Sequence, residues 1–208
     1  MIIAITTQEI IEFTRIYLAV FYSLVALFYS SRVIFMKRKI SKELIFPGER
    51  FCKSWWNHLT FRIFRVAIWM VCLFRWIFPS IDQYLVMINL MQNTWLIIFG
   101  NLLLTVGFFL TVMINFKLGR EWRSGIDPDG PKTIITNGLY RFSRNPMFVF
   151  VAISQVGFFL AVPSMFTLVC LLIGLYTLNS QAIEEEKHLL QVFPLEYENY
   201  LSQVRRWV

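Results

Sequence analysis

Residues 147–179 read M-F-V-F-V-A-I-S-Q-V-G-F-F-L-A-V-P-S-M-F-T-L-V-C-L-L-I-G-L-Y-T-L-N, a run without a single charge. It is too long for one membrane span, and Val162-Pro163-Ser164 breaks it near the middle. Proline inside a helix removes a backbone hydrogen bond and clashes with the preceding turn. The run therefore predicts two helices joined by a tight turn, with both outer ends on the same side. Each arm, at about 16 residues, is roughly 24 Å long, slightly short of a full crossing. Polar segments flank the hairpin: 132–148 reads K-T-I-I-T-N-G-L-Y-R-F-S-R-N-P-M-F, and 185–200 reads E-E-K-H-L-L-Q-V-F-P-L-E-Y-E-N-Y. A membrane chain has little polar surface, and where it gathers Arg, Asn, Glu and Tyr at a membrane edge, chemistry is expected.

Outward from the hairpin, the apolar runs continue. Residues 95–116 are uncharged, and 22 residues give roughly 33 Å of helix. Residues 16–36 form another run, with Arg32 near its end, and 59–78 a fourth, interrupted by Arg62, Arg65 and Arg75. These three arginines read as snorkelling to the interfaces. The chain is 57% hydrophobic and 16% charged, where a soluble domain carries about 25% charged residues. Twenty-one Phe, seven Trp and eight Tyr exceed what a solvated surface could cover. After the hairpin, Phe193-Pro194 ends one helix and starts another. Tyr197, Tyr200, Leu201 and Val204 follow at i, i+3, i+4 and i+7, the stripe of an amphipathic helix on the protein or membrane surface. The fold class implied is all-α: a polytopic membrane protein of about five transmembrane helices, including a C-terminal hairpin, plus a cytosolic amphipathic helix. One domain spans 1–208, with N-terminal spans over 1–116 and the candidate site in 117–208.

Charge counting orients it. The 36–58 loop carries Lys37, Arg38, Lys39, Lys42, Arg50 and Lys53, and the 117–146 loop carries Lys117, Arg120, Arg123, Lys132, Arg141 and Arg144. The 79–94 loop has no Lys or Arg, and only Arg15 precedes the first span. The positive-inside rule places the N-terminus outside, with both basic loops, the two polar flanks and the C-terminus cytosolic. The net charge of +7 thus belongs to membrane-flanking loops, and no nucleic-acid partner is expected. The N-terminus lacks a basic n-region and a small-residue cleavage site, so no removable signal peptide is expected. Cys52, Cys72, Cys170, His58 and His188 do not fall at metal-ligand spacing, and no metal site is expected.

Within the polar flanks, Asn145 is a favoured N-cap and Pro146 a favoured first helical residue, so Arg144-Asn145-Pro146 starts the hairpin's first helix. The plain reading of the tripeptide is a cap plus an edge arginine. The functional reading is that a helix N-terminus offers free N–H groups to an anion. Thr136-Asn137-Gly138 signals a turn, and 132–135 is β-like. Tyr140 is either an interfacial belt tyrosine or an aromatic face for a base ring or cation. Glu184, Glu185 and Glu186 sit at the cytosolic end of a membrane helix, where the macrodipole disfavours acids unless the helix continues to Phe193. At least one carboxylate there is expected to bind a ligand ammonium or ribose hydroxyls.

Together these segments resemble the superfamily of isoprenylcysteine carboxyl methyltransferases and phospholipid methyltransferases, small enzymes of membranes. The resemblance runs from Leu118-Gly119-Arg120 to Arg206. Its elements are L-G-R-x-W, T-x-G-x-Y-x-x-x-R-N-P, a hydrophobic hairpin, and E-E-x-x-L-x-x-x-F-x-x-x-Y-x-x-Y. It implies S-adenosyl-L-methionine as methyl donor on the cytosolic side and a lipid-accessible tunnel for a lipidic or small apolar acceptor. Carried over residue by residue, it implies donor contacts at Lys132, Thr133, Ile134, Ile135, Tyr140, Asn145, Pro146, Met147, Phe148 and Glu185. Gln181 and Arg144 are the expected catalytic positions. Two positions depart from the pattern. The usual R-H-P histidine is Asn145, and a substrate-binding arginine four residues before the glutamate is Gln181. Arginine can hold a carboxylate by a bidentate pair and glutamine cannot, so a thiol, an amine or another lipid group stays open as acceptor. The alternatives are an NADPH-dependent membrane reductase of the sterol-reductase type, whose R-x-x-R-D-E signature this chain lacks, and a non-catalytic protein of the same fold.

Overall fold

The computed structural model describes residues 6–40, 43–128 and 130–208. Lys42 and the side chains of Lys39 and Arg120, which enter the charge count, lie outside the described residues. Among the described residues the six α-helices are α1 (Thr7–Ile40), α2 (Lys53–Ile77), α3 (Thr94–Leu118), α4 (Pro146–Ala161), α5 (Met165–Val192) and α6 (Pro194–Gln203). All five expected spans are helical. Helices α1, α3 and α5 are long and apolar enough to cross a membrane, and α4 is a shorter apolar helix. At 25 residues α2 is long enough, but Arg62, Arg65 and Arg75 interrupt its apolar surface.

Local chemistry sets the helix ends. The Asn93 side-chain carbonyl accepts from the N–H groups of Trp95 (2.9 Å) and Leu96 (3.4 Å) and starts α3, a cap of about 1 kcal/mol. The break at Val162-Pro163-Ser164 falls where the sequence places it. Ser164 then opens α5 with a reciprocal capping box: its hydroxyl accepts from Thr167 N–H, and Thr167 Oγ1 accepts from Ser164 N–H, both at 3.2 Å. The second arm is longer than the 16 residues expected. No Gly or Pro lies between Gly174 and Pro194, so α5 continues for 28 residues, roughly 42 Å. Its last turns, with Gln181 to His188, extend past the apolar stretch.

The closest packing is between α3 and α4. A Cβ at Gly157 would overlap the Leu104 amide nitrogen, and one at Gly100 would overlap that of Ala161. Backbones approach this closely only where side chains are small, as at many membrane helix interfaces. Leu18, Cys72, Leu104, Phe158 and Val162 form the buried core between α1, α2, α3 and the hairpin.

At the end remote from the polar flanks, Arg75 is only 2% exposed and pairs with Asp82, which also pairs with Arg15 at 2.7 Å. Arg75 therefore does not snorkel. A buried guanidinium needs a counter-charge, and the short 3-10 turn Pro79–Tyr84 supplies one from α2's own C-terminus. Burial would raise the Asp82 carboxyl, but Arg75 and then Arg15 hold it below its ordinary range.

The β-like reading of 132–135 is also corrected, because that segment is irregular. A strand needs a hydrogen-bonding neighbour, and the parallel partner of Ile45–Phe46 is Ser124–Gly125 instead. On α6, Tyr197 and Tyr200 are buried, so this helix lies on the protein, while Val204 falls beyond its end.

Candidate active site

The two polar flanks meet at one end of a cavity of about 730 Å³. Tyr140, Arg144, Asn145, Gln181 and Glu185 line that end, and aromatic and aliphatic residues of α1 to α4, such as Phe21, Phe108 and Phe148, line much of the rest, with His58, Arg62 and Arg65 among them.

Successive residues on a helix point about 100° apart, and the three adjacent glutamates of α5 show the consequence. Glu184 turns to the surface, 3.0 Å from Lys187 and 3.6 Å from Lys53. Glu185 turns into the cavity, where its Oε1 accepts from Gln181 Nε2 at 3.1 Å. Glu186 turns toward the start of α4 and the C-terminal tail and is 6% exposed. It accepts two hydrogen bonds from Arg206, at 3.0 and 2.9 Å, and lies 3.3 Å from Arg144. The forked Arg206–Glu186 pair has the strong bidentate geometry of guanidinium and carboxylate.

Gln181 is buried, and its carbonyl accepts from Asn57 Nδ2 at 3.3 Å. Its amide thus ties α2 to α5 while its N–H₂ orients Glu185. Arg144 is fixed as well. Its backbone N–H donates to Arg205 O at 3.0 Å, and Nη1 donates to Leu201 O at 3.4 Å. Its buried Nε has no hydrogen-bond partner among the described residues.

Asn145 occupies the N-cap position of α4, as its sequence context implies, but its side chain does not cap. It donates instead to Glu186 Oε1 and to Arg206 O, both at 3.4 Å. A charged acceptor nearby competes successfully for the amide. The helix start therefore has no side-chain cap, and Met147 and Phe148 in its first turn line the cavity. Uncapped first-turn N–H groups suit an anion.

Thr133, Ile134 and Ile135 also line the cavity, whereas Lys132 is exposed and Pro146 is buried at the first position of α4, both outside the lining. Gly138, at φ +63°, makes the turn into the Tyr140 segment; a Cβ there would lie 2.7 Å from Lys117 Nζ. Tyr140 is anchored through its carbonyl, which accepts from Tyr200 O–H at 2.6 Å. Burial first, then the Glu185 carboxylate and Tyr200, push the Tyr140 phenol up to about 12, so at neutral pH it is a hydrogen-bond donor.

Sequence reasoning singled out Glu185 but not Glu186, Arg206 or Asn57. In the sequence Glu185 and Glu186 are chemically the same; only the rotation of α5 against α4 separates them. Tyr197, on the same α6 stripe as Tyr200, is the nearest sequence signal that the tail folds back over this region.

The sequence pattern described as phospholipid methyltransferase matches residues 95–196. No curated protein and no solved structure matches the chain. The matched region holds the hairpin, the uncapped start of α4 and all three glutamates of α5. By that match, residues 95–196 of this chain of apolar helices are similar to the phospholipid methyltransferase family, within the superfamily of membrane methyltransferases that includes the isoprenylcysteine carboxyl methyltransferases.

Proposed function

We propose that the chain is an integral membrane methyltransferase that uses S-adenosyl-L-methionine and acts on a lipidic or small apolar acceptor. The observation that carries this reading is a cavity in which a polar end, built from both flanks of the hairpin, continues into a largely apolar wall. The polar end has the donor set that S-adenosyl-L-methionine requires. The Glu185 carboxylate, with one amide partner, suits the ammonium or the ribose hydroxyls. The uncapped start of α4 suits the carboxylate, and the Tyr140 ring suits the adenine or the sulfonium. When bound, the donor supplies an electrophilic methyl group on a positively charged sulfur.

The protein's contribution is then alignment and exclusion of water rather than acid–base chemistry. Gln181 stands one helical turn before Glu185, about 6 Å along α5 toward the apolar end, where the acceptor's reacting group would meet the methyl. Arg144 fixes the α4 start against Glu186. The cofactor-binding region is 117–208, joined to N-terminal spans in one membrane domain, with N-terminus outside and the site cytosolic.

Titration calorimetry of detergent-solubilised protein with the donor tests the assignment. Glu185→Ala is expected to weaken binding by about 1–3 kcal/mol, the cost of losing a charged hydrogen-bond partner. Gln181→Arg is expected to favour carboxylate acceptors. Normal donor binding by both Glu185→Ala and Tyr140→Ala would remove the proposal.

The orientation has its own test. In intact cells, an impermeant thiol reagent is expected to label Asn89→Cys and to leave Thr136→Cys unlabelled. The reverse pattern would put the site on the outer face.

A further inference from the structure

Two arginines in the cavity wall are left over by the function proposed above. Arg62 and Arg65 lie on one face of α2, and His58 lies one turn earlier on the same face; all three line the cavity. His58 is within electrostatic reach of both guanidinium groups. Among the described residues, the guanidinium groups of Arg62 and Arg65 make no ion pair and no hydrogen bond. The Arg65 guanidinium rests on aromatic faces, 5.3 Å from the centre of the Tyr29 ring on α1 and 5.9 Å from that of Phe61. Tyr29 is itself part of the cavity wall, so this stacking turns Arg65 across the cavity. The contrast with Arg75 on the same helix is direct, because Arg75 has Asp82.

Of the four acidic residues that line the cavity, Glu121 is exposed, and the other three are engaged elsewhere. Glu186 is held by Arg144 and Arg206, Glu185 by Gln181, and Asp127 pairs with Arg123. Asn57 touches Gln181 and so fixes the register of α2 against α5. The far end of α2 reaches Asp82, close to the Met87–Ser164 bridge at the start of α5, so the two helices run antiparallel. Five and eight residues beyond Asn57, Arg62 and Arg65 therefore stand about 7.5 and 12 Å deeper along the cavity than Gln181. Arginines in an apolar membrane helix are costly to insert and are functional by default when they face a cavity.

We propose that Arg62 and Arg65, with His58 beside them, form an anion site in the acceptor half of the cavity, and that its ligand is the phosphodiester of a lipid. The depth places the anion one to two helical turns below the reacting group, with acyl chains continuing along the apolar wall. The cationic partner that Gln181 does not provide next to Glu185 is thereby supplied from α2, farther from the methyl donor. Planar guanidinium groups match phosphate oxygens in pairs. The inference rests on the cavity being the acceptor's path.

The test uses full-length protein in a neutral detergent and short-chain phosphatidylmethanol with brominated acyl chains. This lipid carries the phosphodiester but no amine, and its binding is read by quenching of tryptophan fluorescence, since Trp69 and Trp122 line the cavity. The double variant Arg62→Gln/Arg65→Gln is expected to bind about 10- to 100-fold more weakly, the loss of two charge-assisted contacts. Arg62→Lys/Arg65→Lys is expected to bind more tightly than the glutamine variant and less tightly than wild type, which separates loss of charge from loss of fold. Diacylglycerol with the same chains is expected to bind far more weakly than the phosphodiester lipid. Equal binding by wild type and the glutamine variant would reduce the two arginines to snorkelling and overturn the site. Diacylglycerol binding as tightly as the phosphodiester lipid would overturn it too, and inorganic phosphate competing with lipid-like affinity would overturn the lipid assignment. Donor affinity is measured in parallel. If wild type binds the lipid through these arginines but not the donor, the methyltransferase reading fails and the anion site stands.

Discussion

Glu186→Ala is expected to lower the thermal unfolding midpoint of the detergent-solubilised protein by on the order of 6–12 °C, from a loss of about 3 kcal/mol. The carboxylate is the shared partner of Arg144, Arg206 and the Asn145 amide. Removing one member of a buried pair strands the other, which typically costs about 3–5 kcal/mol. The lower end of that range applies here because the Arg206 side chain is 34% exposed and can regain water, whereas Arg144, at 10%, cannot. The same substitution detaches α4's start from the tail, so donor affinity is expected to fall as well. Glu186→Gln keeps the shape and loses the charge, and its midpoint should lie between the two. A midpoint unchanged by Glu186→Ala would show that the tail and the hairpin are held together by other contacts.

Gly157→Leu is expected to be the most disruptive change in the hairpin, with a loss of at least about 3 kcal/mol. A Cβ at this position meets backbone: besides overlapping Leu104 N, it would stand 2.8 Å from Gly100 O and from Leu104 Cα. Backbone atoms of a hydrogen-bonded helix cannot swing aside, so α3 and α4 would have to separate along their shared seam. Gly174→Ala is the control. The atoms nearest its new methyl belong to the side-chain amide of Gln155, which can rotate away. Size-exclusion yield and unfolding midpoint of the two variants check the contrast. A Gly157→Leu protein as stable as wild type would mean that the α3–α4 seam is looser than described.

Much of the architecture was legible because membrane helices announce themselves by length and composition. The uncharged run, its proline break and the Phe193-Pro194 junction are local signals, and each fell where the physics of proline and of apolar length places it. The convergence of the two flanks also followed, since a hairpin returns its ends to one side. What could not be read were choices made by tertiary contact. Asn145 has the propensity of a cap, yet a charged acceptor across the site takes its amide. Arg75 looks like Arg62 and Arg65 in the sequence, and only the turn that brings Asp82 back beside it separates a structural ion pair from two guanidinium groups left facing a cavity. Lys132 follows the family pattern as one residue in a row of four, but the irregular backbone there leaves it outside the cavity that its three neighbours line.

The three successive carboxylates of α5 have a consequence for how this segment can change in evolution. Surface, cavity and buried hub are assigned by rotation alone, so adding or deleting one residue between Gln181 and Glu186 would turn every later side chain by about 100°. Each acid would inherit its neighbour's environment, and the tail would lose its anchor at the same stroke. Single-residue exchanges at Glu184 should be tolerated, because its partners are surface lysines. Length variation among related chains should therefore collect in the 36–58 and 79–94 loops and be missing from this one turn of helix; a relative with an insertion there and an otherwise intact site would contradict it.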